Sequence, residues 1–259
     1  MLAFLFVAVS LLYATVGQAG GTAFLAIMAF ASLPPQEMRP TALLLNIVAA
    51  AYSTWLFNRG KIIDWPKLAP FLLASLPAAL LGGVIALNKS IYDALTGVAL
   101  LTATAILAFR PAASEEPNRR IPSLGALGAG AGIGFISGLT GVGGGVFLAP
   151  LLIALRWAAP RQTSALSAPF ILANSAVGLV GALYADQTLS NDTWLYAIGV
   201  LIGAMIGSII GLRFLSQVAT RYVLTLILGI AGLNCCCLQL RDSSDCLFSC
   251  RCAGSFARA

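Results

Sequence analysis

The chain reads as all-α, a polytopic membrane helical bundle built from two inverted repeats, each with a glycine-broken helical hairpin. Three observations predict this. First, 59% of the 259 residues are hydrophobic and only 9% are charged, with a mean hydropathy of +0.92; a soluble domain carries about 25% charged residues. Second, the apolar residues fall into blocks of roughly 15–25, the length of a membrane-crossing helix. Third, one glycine-rich interruption, Thr140-Gly141-Val142-Gly143-Gly144-Gly145-Val146, has an earlier and looser copy at Val16-Gly17-Gln18-Ala19-Gly20-Gly21-Thr22. Each glycine costs a helix about 1 kcal/mol relative to alanine, so such a cluster breaks a helix. In lipid a broken backbone persists only where protein buries it or where it lines a cavity. The two breaks are therefore expected to face each other and to form the substrate site.

The elements follow in order. Residues 2–16 and 22–32 flank the first break; at 1.5 Å per residue they are roughly 22 and 17 Å long against a hydrocarbon core of about 30 Å. Neither spans alone, so they form either one broken crossing or a re-entrant pair. Residues 32–40, with Pro34, Pro35 and Pro40, read as a polar turn. Residues 41–57 span and carry Asn46, residues 58–67 form a basic loop, residues 68–87 span with Pro77 inside, and residues 91–109 span again. Residues 111–122 hold Glu115, Glu116, Arg119 and Arg120 and read as a linker between a first repeat, 1–110, and a second, 123–240. In the second repeat, 123–139 and 146–157 flank the break, a turn runs from Arg156 to Gln162, 163–184 carries Asn174 and Ser175, and 194–214 and 220–239 complete the set. The glycines align as Gly17 with Gly141, Gly20 with Gly144 and Gly21 with Gly145, and Pro35 matches Pro160 with one extra residue in the second copy. The opening MLAFLFVAVSLLYA lacks the basic start of a cleaved signal peptide and is read as part of the membrane domain.

Loop charges choose between the two fates of the broken segments. If each crosses once, loop Lys and Arg divide evenly between the two sides. If each returns to its own side or crosses twice, Arg59, Lys61, Lys67, Arg110, Arg119, Arg120, Arg156, Arg161, Arg213 and Arg221 gather on one side, leaving Arg39 and Lys89 on the other. The positive-inside rule favours the second arrangement. Three full spans plus a hairpin per half is an odd count, which inverts one repeat relative to the other.

The composition also excludes functions. The +6 net charge comes from basic residues set singly in short loops, not from a basic face fit for nucleic acid. With no histidine, imidazole relays, histidine metal sites and Ser-His catalysis are absent, and no phosphate-binding GxxxxGK[ST] motif occurs. No nucleophile–base pair or metal set is visible, so an enzyme is not expected, nor is a cofactor. All six cysteines lie between Cys235 and Cys252. Their spacing fits neither paired CxxC nor a zinc knuckle, and 241–259 reads as an irregular, disordered tail.

With these residues in view, the sequence resembles the TauE/SafE sulfite exporter family, also called the toluene sulfonate uptake permease (TSUP) family. Gly141-Val142-Gly143-Gly144-Gly145-Val146-Phe147-Leu148-Ala149-Pro150 and Arg39-Pro40-Thr41-Ala42-Leu43-Leu44-Leu45-Asn46 carry the resemblance, which covers roughly residues 1–233. The first break departs from the stricter pattern, with Ala19 at its third position and Ala26 opposite Pro150. The resemblance implies a multi-pass carrier of the bacterial inner membrane for small sulfur-containing or organic anions such as sulfite or sulfonates.

An oxyanion needs hydrogen-bond donors, and the start of a half-helix offers backbone amides together with the positive end of the helix dipole. The candidate substrate-binding residues are Gly17, Gln18, Gly20, Gly21 and Thr22 at the first break and Thr140, Gly141, Gly143, Gly144 and Gly145 at the second. Asn46, Ser167, Asn174 and Ser175 within neighbouring spans complete the set. Each has a plainer reading: close packing for the glycines, interhelical hydrogen bonds for the asparagines, bonds to their own helix for the serines. Arg39 reads as an interfacial anchor, and Trp55, Trp65, Trp157 and Trp194 as interface belts. No Asp or Glu lies deep in a span, so no carboxylate proton relay is visible. The partners expected are a small anionic substrate and the lipid bilayer; a homo-oligomer is compatible with the pattern. The alternative function is a non-transporting membrane scaffold or assembly factor, which would use the small-residue faces for packing alone.

Overall fold

A computed structural model describes residues 2–31, 33–85 and 122–214. The expected spans at 91–109 and 220–239, nearly all of the linker and the cysteine-containing tail lie outside the described residues. What is described is all-helical: α1 (Leu2–Thr15), α2 (Gly21–Phe30), α3 (Pro35–Arg59), α4 (Trp65–Val84), α5 (Ser123–Thr140), α6 (Gly145–Ala154), α7 (Pro160–Tyr184) and α8 (Thr193–Phe214). Five of these, α3, α4, α5, α7 and α8, are long and apolar enough to cross a membrane, whereas α1 and α6 are shorter apolar helices. The exterior suits lipid: Leu73 and Leu81 on α4 and Trp194, Ile198 and Ile202 on α8 are exposed.

Local chemistry sets the helix ends. Pro35 and Pro160 open α3 and α7, where a proline's fixed φ suits the first turn and its missing N–H costs nothing. The expected turn at 32–40 is therefore shorter than predicted: Glu37, Met38, Arg39 and Pro40 already belong to α3. The same holds at 156–162, where α7 starts at Pro160. Asp64 caps α4 by accepting from the Lys67 amide at 3.3 Å. Gly141 ends α5 in the left-handed region at φ 75°, its amide bonded to the Ser137 carbonyl at 2.8 Å.

Two stripes of glycine at four-residue spacing bring helices to backbone contact. On α8, Gly199, Gly203, Gly207 and Gly211 lie against the carbonyls of Ala3, Val7, Leu11 and Thr15 of α1. On α5, Gly130, Gly134 and Gly138 lie against those of Phe71, Ser75 and Ala79 of α4. A side chain at any of these positions would occupy space the facing backbone fills, so only glycine allows the approach.

These ladders also give direction. Both rise together, so α1 runs parallel to α8 and α4 parallel to α5. Contacts Thr41–Ser190 and Ser53–Ser208 make α3 parallel to α8. The cluster of Phe57 with Ala165 and Ala168 at one end, and Leu43 beside Gly178 at the other, makes α3 antiparallel to α7. Hence α1, α3 and α8 point one way and α4, α5 and α7 the other. Because α1 and α3 share a direction, α2 carries the chain back between them, and the Phe24 ring packs tilted against Phe6 with centroids 5.6 Å apart. By the same reasoning α6 returns the chain between α5 and α7. One end of the bundle gathers Arg59, Lys61, Lys67 and Arg156; the opposite end carries the 185–192 loop with Asp186 and Asp192.

Two expectations are corrected. Trp157 is buried against Phe71, centroids 6.1 Å apart, and is not part of an interface belt. Arg39 is no interfacial anchor: it is 6% exposed and sits inside the bundle. Trp55, Trp65 and Trp194 are exposed, as an interfacial position requires.

Candidate functional site

The two breaks touch. Gln18 Nε2, from the first, donates to the Gly145 carbonyl of the second at 3.3 Å. A Cβ on Gly21 would lie 2.7 Å from the Val142 carbonyl oxygen and 2.5 Å from Asn46 Nδ2. One on Gly145 would collide with Ile171 and approach Gln18 Oε1 at 2.9 Å. The contacts are reciprocal: each helix start meets a residue of the other break and one at the midpoint of a long helix, Asn46 in α3 or Ile171 in α7. The outer ends repeat the exchange. Gly17 packs on the backbone of Ser164 in α7, and Gly141 packs on Arg39 in α3. The meeting point therefore lies midway along the bundle.

Five break glycines, Gly17, Gly20, Gly141, Gly143 and Gly144, hold left-handed φ between 72° and 97°. Any other residue there costs roughly 1–2 kcal/mol. This backbone frees the amides at the start of α2 and α6. Phe147 and Leu148 bond back to the Gly144 carbonyl, whereas the N–H groups of Gly143, Gly144, Gly145 and Val146 have no acceptor among the described residues. The same is true of Gly20, Gly21 and Thr22, with Phe24 bonding to Gly20. Four unpaired amides are what any helix start leaves; here two such starts converge, so two positive dipole ends add at one place.

The side chains divide unevenly between the breaks. Thr22 Oγ1 is paired with Tyr13 OH at 3.0 Å, and Thr140 Oγ1 donates to the Ile136 carbonyl of its own helix at 2.8 Å, so the Thr140 proton is committed to its own helix. Asn46 Nδ2 donates to the Gly141 carbonyl at 3.3 Å and lies 3.1 Å from where a Gly143 Cβ would be. Ser175 Oγ is 2.9 Å from that same Gly143 position, and Ser137 Oγ is 3.2 Å from the corresponding point of Gly144. Ser137, Ser175, Gln18 Oε1 and Asn46 Oδ1 are buried and have no hydrogen-bond partner among the described residues. Such groups are uncommon inside a fold. Ser167 and Asn174 are also fully buried on α7, but neither is among the atoms closest to the break glycines, and Asn174 Nδ2 bonds the Phe170 carbonyl of its own helix at 2.9 Å.

Sequence reasoning missed Ser137, Tyr13 and Ile171. Ser137 could have been found as the residue one turn before the left-handed Gly141. Arg39 was seen but misplaced. Its guanidinium donates to the carbonyls of Ile85 at 3.0 Å, Gly82 at 3.0 Å and Gly83 at 2.8 Å, and to that of Gly138. These are the terminal carbonyls of α4 and the last turn of α5, so one cation closes two helix C-termini, and its stem lies against Gly141. Arg39 is the sole buried charge among the described residues; none of the buried polar groups is a carboxylate. Among the described residues no cluster of His, Cys, Asp or Glu could hold a metal ion.

Comparison with known proteins identifies the family. A "Probable membrane transporter protein y4hK" of Sinorhizobium fredii is 38% identical over 237 residues, covering 90% of this chain and 96% of its own length. A "Probable membrane transporter protein YunE" of Bacillus subtilis is 22% identical over 218 residues, covering 76% and 78%. No solved structure is significantly similar. The family model described as "Sulfite exporter TauE/SafE" matches residues 2–235, and with a match of that extent the chain belongs to the TauE/SafE sulfite exporter family, a family of multi-pass membrane transporters.

Proposed function

We propose that the protein is a secondary transporter of small sulfur-containing or organic oxyanions in the cell inner membrane, and that the two glycine breaks form its binding site. The observation that carries this reading is the meeting of two helix starts midway along the bundle, beside buried hydroxyls and carboxamide oxygens that have no partner among the described residues, none of which places a buried carboxylate there. The family's name favours sulfite or a chemically similar anion.

The helix directions support a pair of inverted repeats. Each of α1, α3 and α4 runs opposite to its counterpart α5, α7 and α8, and the contacts exchange in the same way. Alternating access follows if one repeat rocks against the other about the breaks. The basic residues Arg59, Lys61, Lys67 and Arg156 at one end favour a cytoplasmic position for it. A scaffold would need the glycine stripes, but it would gain nothing from unpaired polar groups at the point where the breaks meet.

Uptake of labelled sulfite and a panel of sulfonates into vesicles, compared between wild type and Gly144→Leu, tests the reading. Saturable wild-type flux that the variant abolishes is expected. Equal flux in both removes the binding-site assignment, and no flux of any anion in wild type removes the transporter reading.

A further inference from the structure

We infer that the site selects an anion that carries its own hydroxyl proton, either a protonated oxyanion or a sulfonate bearing a hydroxyl, over a fully ionised or donor-free one. This rests on the anion-binding reading above. The hydrogen bonds that join the breaks fix the orientation of two carboxamides. Gln18 spends its amino group on the Gly145 carbonyl and Asn46 on the Gly141 carbonyl. Rotating either group by half a turn would set oxygen against oxygen, so the amide oxygens stay where they are. Gln18 Oε1 and Asn46 Oδ1 are therefore obligate acceptors, buried and unpartnered among the described residues.

Beside them stand donors, the free amides of Gly143, Gly144 and Gly145. A bare anion satisfies those amides and is repelled by the two carboxamide oxygens. A cation would satisfy the oxygens, yet it would face two converging helix N-termini and their positive potential. A ligand with ionised oxygens on one side and an O–H on the other satisfies both sets. It also bears on energetics: no buried carboxylate that could relay a proton is found among the described residues, and a protonated anion brings its own.

The full chain in proteoliposomes tests this with ethanesulfonate and 2-hydroxyethanesulfonate, a pair that differ by one hydroxyl. The hydroxylated anion is expected to half-saturate uptake at about ten-fold lower concentration, the factor that one unmade buried hydrogen bond is worth. Gln18→Met is expected to bring the two close to parity. Equal wild-type affinity overturns the inference and leaves the anion-transporter reading standing; this arm needs no variant to fold. If neither sulfonate enters while sulfite does, the sulfite rate decides. It must fall with the hydrogen-sulfite fraction as pH rises, and a rate indifferent to that fraction overturns the inference. If no anion moves at all, the transporter reading and this inference fall together.

Discussion

Replacing Arg39 measures what a single buried guanidinium contributes to the bundle. Its four acceptors come from two helix ends, and three of them, the carbonyls of Gly82, Gly83 and Gly138, are bonded in fully buried surroundings. Arg39→Met keeps much of the stem's apolar packing against Gly141 and removes every donor. At about 1–2 kcal/mol for each of the three buried carbonyls left unpaired, less what relaxation recovers, the loss is roughly 3–5 kcal/mol. Arg39→Lys retains the charge but offers a compact ammonium in place of a planar fork, and it cannot reach α4 and α5 at once. It is expected to fall between the two. Unfolding in mixed micelles of increasing SDS fraction reads the order directly: wild type, then Lys, then Met. A surface anchor would change stability by no more than about 0.5 kcal/mol. If Arg39→Met unfolds at the wild-type SDS fraction, the four carbonyls have other partners and the double-capping role is wrong.

Three further outcomes follow from the same contacts. Gly144→Ala puts a Cβ on a residue at φ 77° and 2.9 Å from the Phe170 ring; a cost of roughly 1–2 kcal/mol for the backbone alone and loss of vesicle uptake are expected, while Gly128→Ala, with nothing within 4 Å, should leave uptake intact and stabilise α5 by up to about 1 kcal/mol. Gly207→Val drives a branched side chain into the Leu11 carbonyl and should abolish folded, monodisperse protein on size-exclusion chromatography, an outcome that a lipid-facing Ile202→Val does not share. The Ser53–Ser208 hydroxyl pair, 2.8 Å apart, should show a coupling of about 0.6 kcal/mol in a double-alanine cycle; additive effects would mean that the pair does not hold α3 to α8.

Much of this architecture was legible because glycine and proline act locally. The density of glycine at 141–145 forces a break whatever surrounds it, and the matching order of elements in the second half follows from counting. The return of each broken segment to its own end was legible from the loop charges, since Arg59, Lys61, Lys67 and Arg156 collect at one end only if α2 and α6 turn back. Helix starts were less legible. A proline opens a turn and the first turn of a helix with the same φ, so Pro35 and Pro160 could not mark which. Arg39 was misread for a related reason. Its neighbour Pro40 suggests a loop at the membrane edge, and the carbonyls that neutralise it lie 43 to 99 residues further along the chain. Ser137 was passed over because a serine in a helix ordinarily bonds its own backbone, although its place one turn before Gly141 marks it.

The opposition between packing and binding as explanations for the break glycines does not survive the geometry. Gly17, Gly21, Gly141 and Gly145 each approach a neighbour so closely that no side chain fits, as the packing reading requires. That closeness is also what sets Gln18 against Gly145 and Asn46 against Gly141, and so brings two carboxamide oxygens near helix starts whose amides have no acceptor among the described residues. A larger residue at Gly21 would push Asn46 and Val142 away and separate donors from acceptors before it blocked any ligand. The stripes on α5 and α8 show the contrast: there the glycines face the continuous backbone of a regular helix. Close packing of regular helices yields a scaffold, whereas close packing of two interrupted ones leaves hydrogen-bonding capacity open among the described residues, and the proposed binding site rests on that difference.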